Sequence, residues 1–243
     1  MGKSSGPKSG ADELLLSCEH AGNRIPPEYR TLFRDAAEAL ASHRGWDPGA
    51  LDLAKSLAKT LQRGLYTVSW SRLLVESNRS PTNPRIWSKY TAGLPAAERE
   101  RILTEYWWPH RRTVETAVGE GVGRGRRIVH IAVHSFTGVL DGEVRNADIG
   151  LLYDPRRPGE LALCDRWKQI LRELDPTLRV RLNYPYRGIA DGLPTWLRRK
   201  YPEASYAGVE FELNQSLVAT PRWRSFKNVM ATSIRRLIAE SAS

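Results

Sequence analysis

Cysteine is scarce in this chain, since Cys18 and Cys164 are the only two among 243 residues. They could form one disulfide, but no secretion signal follows the lysines near the N-terminus. A reduced pair in the cytoplasm is therefore expected. Two thiols are also too few for a thiolate-rich zinc site, so any metal ion must be bound mainly by histidine and carboxylate ligands.

Long hydrophobic runs are absent as well. The longest, at residues 128–133 and 14–16, are far shorter than the ~20 residues of a membrane-spanning helix. Hydrophobic residues make up 41% and charged residues 26% of the chain, which is typical of a soluble protein with one apolar core. The start of the chain is rich in Ser, Gly and Lys, so residues 1–12 are predicted to be a disordered tail and residues 13–243 one domain.

Acidic residues are outnumbered, with 27 Asp and Glu against 37 Lys and Arg, a formal net charge of +10. This charge permits nucleic-acid binding, but the basic residues are dispersed and no signature of an RNA-binding module accompanies them. A solvated basic surface is the preferred interpretation, and an anionic small substrate fits the same charge. Neither a nucleic-acid nor a membrane partner is predicted.

Short apolar strands alternate with helical patterns along the chain. Strands are predicted at 14–17, 65–70, 73–75, 128–133, 149–153, 178–183 and 206–213. Helices are predicted at 29–43, 51–61, 96–118, 159–174, 193–201 and 222–239, with a kink at Pro109, a loop at 119–127 and a cap at Gly64. This order predicts an α/β protein, a three-layer α/β/α sandwich around a central mixed, largely parallel sheet.

Two of the five histidines, His20 and His134, directly follow predicted strands. Ligands bind where the carboxyl ends of parallel strands meet, and Asp47 lies in a loop that could reach the same edge. Two imidazoles, one carboxylate and a free fourth position are typical of a catalytic zinc site. A hydrogen-bonded structural histidine remains the alternative.

The other histidines are assigned no function. His130 lies within an apolar strand and is predicted to be buried in the core, whereas His43 and His110 lie in helical segments and are predicted at the surface.

Two acidic residues, Glu210 and Glu212, alternate with apolar residues in a predicted strand, so both face one side. A buried carboxylate is costly unless it has a role, and a general base beside a metal ion would be such a role. An edge strand with one solvated face explains the pattern equally well.

Several segments, in order, resemble motifs of the N-formylglutamate amidohydrolase family. They are SCEHAGNRIP (17–26), WDPGA (46–50), SRLLV (71–75) with Asn78 and Arg79, HSF (134–136), DIGLLY (148–153), NYPYRG (183–188) and ELNQ (212–215). The resemblance covers roughly residues 13–220 and implies a fold like that of zinc carboxypeptidases. It further implies one zinc ion bound by His20, Asp47 and His134, with Glu212 as general base and acid.

Two positions near these motifs stand out. Glu19, beside His20, competes with Asp47 as the carboxylate ligand. Glu76 stands where the family usually has Asp, two positions before its Asn-Arg pair, which bears on substrate specificity.

The substrate that the resemblance implies is a small anionic N-acyl amino acid, N-formyl-L-glutamate, cleaved to formate and L-glutamate. Its two carboxylates suit the planar fork of arginine, and the candidates are Arg79, Arg145 and Arg187, with Asn78 and Asn183 as neutral partners. Two alternatives remain: an amidase for another N-acyl amino acid or a peptide fragment, and a basic binding protein without activity.

Overall fold

Residues 10–240 are described by the computed structural model, and their backbone begins with a strand. Most of the predicted disordered tail lies outside the described residues, but residues 10–12 already belong to the first strand. The strands are β1 (Gly10–Cys18), β2 (Leu65–Thr67), β3 (Arg126–Phe136), β4 (Val139–Leu140), β5 (Glu143–Val144), β6 (Ile149–Leu152), β7 (Val180–Leu182) and β8 (Tyr206–Asn214). In the described part of the chain, no helix is long and apolar enough to cross a membrane.

Six of these strands form one sheet in the order β2-β1-β3-β8-β6-β7, and β4 pairs with β5 in a separate hairpin. The first four strands of that order are parallel, β6 is antiparallel to β8, and β7 is parallel to β6. The predicted mixed, largely parallel sheet is therefore confirmed.

Helices cover both faces of the sheet, which confirms the three-layer prediction. The helices are α1 (Ala37–Ala41), α2 (Ala50–Leu61), α3 (Ala96–Ile102), α4 (Trp108–Gly123), α5 (Pro158–Leu174), α6 (Leu193–Arg198) and α7 (Trp223–Glu240). Helices α2, α5 and α7 share an apolar core with one face, whereas α4 and α6 pack on the other.

The two faces of the central strands differ in polarity because side chains alternate along a strand. In β3, Val129, Ile131 and Val133 point into the core under α2, α5 and α7. The intervening residues include His130 and His134, which point to the side of α4 and α6. The polar face of β3 and β8 therefore remains available for a site.

Four local predictions were wrong. Residues 27–33 form a 3₁₀-helix before the short α1, instead of one long helix over 29–43. The segment 73–75 is a turn, and Gln62 rather than Gly64 caps α2 in a left-handed conformation. Helix α4 continues to Gly123 through the predicted loop, because Gly121 packs so closely on Ile128 that a Cβ would lie 2.4 Å from that side chain.

The predicted break at Pro109 takes the form of a π-helical segment, Leu103–Trp107, between α3 and α4. Pro109 then stands in the first turn of α4, directly after this π-helical segment.

His130 is fully buried, as predicted, and its ring nitrogens lie 2.7 Å from the Ser17 hydroxyl and 2.8 Å from the Tyr206 hydroxyl. Burial lowers the pKa of His130 to about 4, below the value of ~6.5 in an unfolded chain. Between these two values the unfolded state binds the extra proton, so the stability due to a neutral His130 is lost as pH falls.

Because of His130, we expect the free energy of unfolding to fall by about 2 kcal/mol when the pH is lowered from 7 to 4.5. The measurement is urea unfolding of the wild type and His130→Gln at both pH values, with a chelator present so that no bound metal contributes. The wild type should lose that much more stability than the variant. Equal losses would mean that His130 is not the group that titrates.

Candidate active site

Three predicted ligands meet at the carboxyl edge of the sheet. Nδ1 of His20 lies 3.2 Å from Oδ2 of Asp47 and 3.2 Å from Nδ1 of His134, and that Nδ1 lies 3.0 Å from the same Asp47 oxygen. All three residues are at most 3% exposed. The structure thus brings three potential donor atoms around one point.

The local fold explains this meeting. Strands β1 and β3 are parallel neighbours, so His20, just after β1, lies beside His134 near the end of β3. The loop before α2 is held by the Asp47 N–H, which donates to the His20 carbonyl at 3.0 Å. The Ser135 N–H in turn donates to Oδ2 of Asp47 at 3.2 Å.

The outer nitrogens of the two histidines contact two further buried carboxylates. Nε2 of His134 lies 3.0 Å from Oε2 of Glu19, and Nε2 of His20 contacts Oε1 of Glu76. Glu19 therefore lies on the outer side of His134 and does not compete with Asp47 for the central point. Glu76, whose place in the family motif raised the question of specificity, contacts a candidate ligand.

His110 was wrongly predicted to be a surface residue. Its side chain is only 7% exposed, and its Nε2 lies 3.1 Å from Oε1 of Glu19. The chain His110–Glu19–His134 thus ties α4 to the cluster. His43, by contrast, is exposed as predicted.

A proton count favours a cation at the centre. If only protons held the cluster and all its carboxylates were ionised, each histidine nitrogen that faces a carboxylate would carry a proton. Two imidazolium ions would then stand side by side with ring centroids 4.9 Å apart. With a metal ion at the two Nδ1 atoms, each ring needs only its Nε2 proton, and each Nε2 faces a carboxylate. This carboxylate–histidine arrangement is the usual environment of metal-binding histidines.

The spacing of the donors also fits zinc. Tetrahedral ligands at bond lengths of ~2.0–2.1 Å lie about 3.3 Å from one another, close to the 3.0–3.2 Å observed here. The three residues are the one group of potential metal ligands found in the described part of the chain. This donor set suits one zinc ion with a fourth position left for water or substrate.

The electrostatics of the cluster favour positive charge. Burial alone would lower the pKa of His134, but hydrogen bonds and charges of Asp47 and Glu19 raise it well above 6.5. Burial would raise the pKa of Asp47, yet His20, His134 and Arg72 hold it below its usual range. A site that draws protons onto its histidines also attracts a metal cation.

Arg72 belongs to the cluster although the sequence assigned it no role. Its Nη1 donates to Oδ1 of Asp47 at 3.3 Å, and its Nε donates to Oε2 of Glu76 at 2.8 Å. One guanidinium therefore fixes both a candidate ligand and the carboxylate that holds His20. The signal in the sequence was the motif around Arg72, which spacing alone could not connect to Asp47.

Glu212 stands beside His134, its register partner on β3, and is 6% exposed. Among the described residues no group hydrogen-bonds its Oε2, and burial raises its pKa to about 8. Glu210, on the same face, instead accepts a hydrogen bond from Nδ2 of Asn78 at 2.8 Å. A buried carboxylate with one free oxygen beside a metal site is suited to accept a proton.

The loop between β7 and α6 passes directly over β6. The Tyr184 carbonyl lies so close to Gly150 that a Cβ there would meet it at 1.9 Å, so only glycine fits beneath the loop. Oδ1 of Asn183 accepts hydrogen bonds from the N–H groups of Tyr153 and Gly188 at 3.2 and 2.9 Å. The predicted substrate ligand Asn183 therefore holds the loop that carries Arg187.

A cavity opens above the cluster, and its walls include most of the predicted substrate ligands. Asn78, Arg79 and Arg187 line it together with Glu210 and Glu212. Nη1 of Arg79 also contacts the Asp191 carbonyl. Arg145 lies outside this cavity, in the wall of a second chamber beside it.

Known structures share this architecture. The crystal structure of gene product Atu2144 from Agrobacterium tumefaciens aligns with a TM-score of 0.78 and 30% identity, covering 94% of this chain and 89% of that one. The N-formylglutamate amidohydrolase from Ralstonia eutropha JMP134 aligns with a TM-score of 0.69 over 97% of this chain and 95% of that one, and at 18% identity it supports the fold alone.

Sequence comparison identifies the family. The N-formylglutamate deformylase of Pseudomonas aeruginosa is 30% identical over 125 residues, which cover 44% of this chain. The match spans 46% of that relative's length, or less than half. The profile of the N-formylglutamate amidohydrolase family matches residues 12–219, most of the chain. This protein is therefore a member of the N-formylglutamate amidohydrolase family.

Proposed function

We propose that this protein is a zinc-dependent amidohydrolase that cleaves N-formyl-L-glutamate to formate and L-glutamate. The observation that carries the proposal is the convergence of His20, Asp47 and His134 on one point, 3.0–3.2 Å apart, beside the buried Glu212. The family and the name of the Pseudomonas relative support the amide and the formylglutamate substrate. A cytoplasmic location is part of the same proposal.

A zinc ion held by these three residues would supply a nucleophilic water and polarise the scissile carbonyl. Glu212 accepts the proton of the attacking water at its free oxygen and delivers it to the nitrogen of the departing L-glutamate. Glu19 and Glu76 keep the two histidine rings oriented, and Arg72 keeps Asp47 in place. The deep burial of these groups excludes bulk water and strengthens each electrostatic contact.

The substrate is an anion, and the cavity wall supplies cations for it. Arg79 and Arg187 share the cavity with Glu212, so they are placed to bind a carboxylate close to the scissile amide. Asn78 is engaged on both sides, since its Oδ1 accepts the Leu193 N–H at 2.7 Å and its Nδ2 donates to Glu210. Its role is to fix this wall.

The assay that tests the proposal is formate release from N-formyl-L-glutamate by the purified protein. We expect release that disappears when a chelator strips the metal and returns when zinc is added, because the three donors suit zinc. N-acetyl-L-glutamate and N-formyl-L-leucine serve as comparison substrates. No release by protein that demonstrably holds zinc would contradict the substrate, and release that resists complete metal removal would contradict the metal.

A further inference from the structure

A second chamber adjoins the cavity above the metal cluster. The two share Asp47, Arg72, Ser135 and Tyr186 in their walls, so they lie side by side, and they are called here the first and the second arm of the site. Glu212 lines only the first arm. The second arm is bounded by the turn before α2 and by the β4–β5 hairpin with the residues that follow it.

The second arm is strongly basic. Its wall contains Arg44, Arg72 and Arg145, against Asp47 as its one acidic residue. Both oxygens of Asp47 are already engaged, Oδ2 by the two histidines and Oδ1 by Arg72. The positive charge of the outer part of this arm therefore has no carboxylate in the wall to balance it.

Arg145 is held in this arm by a neutral partner. Its Nη1 donates to the Tyr186 hydroxyl at 3.0 Å, and its guanidinium lies 5.2 Å from the centre of the same ring. Its backbone is fixed as well, because the Arg145 N–H donates to the Gly138 carbonyl at 2.8 Å. Because its partner is an uncharged ring, the positive charge of Arg145 is not neutralised before an anionic ligand binds. Because the side chain is already oriented, binding costs little conformational entropy.

We infer that the second arm is the subsite for the side-chain carboxylate of the substrate and that Arg145 determines specificity for an acidic side chain. This inference rests on the proposed function. The amine beside Glu212 and the main-chain carboxylate are attached to the same carbon, so that carboxylate stays in the first arm with Arg79 and Arg187. The side-chain carboxylate lies two bonds, roughly 2.5 Å, farther out, and extends into the arm that Glu212 does not line.

The test compares three substrates on the wild type and Arg145→Met. They are N-formyl-L-glutamate, N-formyl-L-glutamine, which lacks the side-chain carboxylate, and N-formyl-L-isoglutamine, which keeps it but lacks the main-chain one. We expect the variant to lower kcat/KM about 30-fold for the two substrates with a side-chain carboxylate and less than about threefold for N-formyl-L-glutamine. Equal losses on all three, or a loss confined to substrates with the main-chain carboxylate, would overturn the inference.

Arg181→Met is the matched control. Arg181 also stacks on a tyrosine of the same loop, with its guanidinium 4.1 Å from the centre of the Tyr184 ring, but lines neither arm. We expect Arg181→Met to leave kcat/KM unchanged for all three substrates. If Arg181→Met reproduced the losses of Arg145→Met, support of the loop and not binding would explain them.

A binding measurement separates this inference from the proposed function. Calorimetric titration of the protein with L-glutamate and with L-glutamine requires no catalysis. Weaker binding of L-glutamate to Arg145→Met, with L-glutamine binding unchanged, supports the subsite even if no formate is released from any substrate. Equal affinity of the wild type for both amino acids overturns the subsite even if N-formyl-L-glutamate is cleaved.

Discussion

Replacement of Glu212 by glutamine is expected to lower kcat for formate release by about 10³-fold while the metal stays bound. General acid–base groups contribute about 10²–10⁴-fold, and Glu212 is assigned both proton transfers. Glutamine keeps the size of the side chain and cannot accept the proton of the attacking water. The measurements are steady-state kinetics and the zinc content of the purified variant.

Glu210→Gln is the matched control for this experiment. Glu210 lies on the same face of β8 and is buried to nearly the same degree, 7% against 6% exposed, but its carboxylate accepts a hydrogen bond from Asn78. We expect a kcat within about tenfold of the wild type, since glutamine retains an acceptor for that bond. If the two variants lost the same activity, Glu212 would have no special role in proton transfer.

Asp47→Asn is expected to abolish metal binding and, with it, formate release. The Asp47 carboxylate contacts both histidines through one oxygen, and asparagine removes the negative charge that balances a divalent cation there. Zinc content after dialysis should fall from about one ion per chain to less than about a tenth of that value. A thermal unfolding transition measured in parallel verifies that the variant is folded.

The sequence left open whether Asp47 or Glu19 is the carboxylate ligand of the metal ion. The variant Glu19→Gln distinguishes these two possibilities. Glu19 contacts the outer nitrogen of His134, so its replacement should weaken zinc binding by about 10–100-fold and leave a stoichiometric site at saturating zinc. The reverse result, with zinc retained by Asp47→Asn and lost by Glu19→Gln, would exchange the roles of these residues.

The sequence predicted the candidate metal site because parallel strands impose a simple geometry. His20 and His134 each stand at the end of a strand, and strands that run side by side in one direction bring their carboxyl ends to the same edge. Alternation placed Glu210 and Glu212 on one face of a strand, and the family resemblance singled out Glu212, which the structure pairs with His134. Local order along the chain thus supplied the candidates, and the family resemblance chose among them.

Predictions failed where packing opposed local composition. The Gly-rich and Arg-rich segment after residue 118 was expected to be a loop, but α4 continues through it to Gly123. Gly121, which has no side chain, allows α4 to pack closely against β3 there. His110 was expected at the surface because the face that a helix buries depends on elements distant in sequence. It instead contacts Glu19, 91 residues away.

By itself, the sequence determined the α/β architecture, the family and the residue types available for a metal site, because these depend on periodicity and on motifs along the chain. Only the tertiary structure decided which carboxylate faces the common point of the two histidines and that Arg72 joins Asp47 to Glu76. It also placed Arg145 in a different chamber from Arg79 and Arg187. The physical reason is that a carboxylate or guanidinium acts over a few ångströms in space, whereas its partners lie tens of residues apart in the sequence.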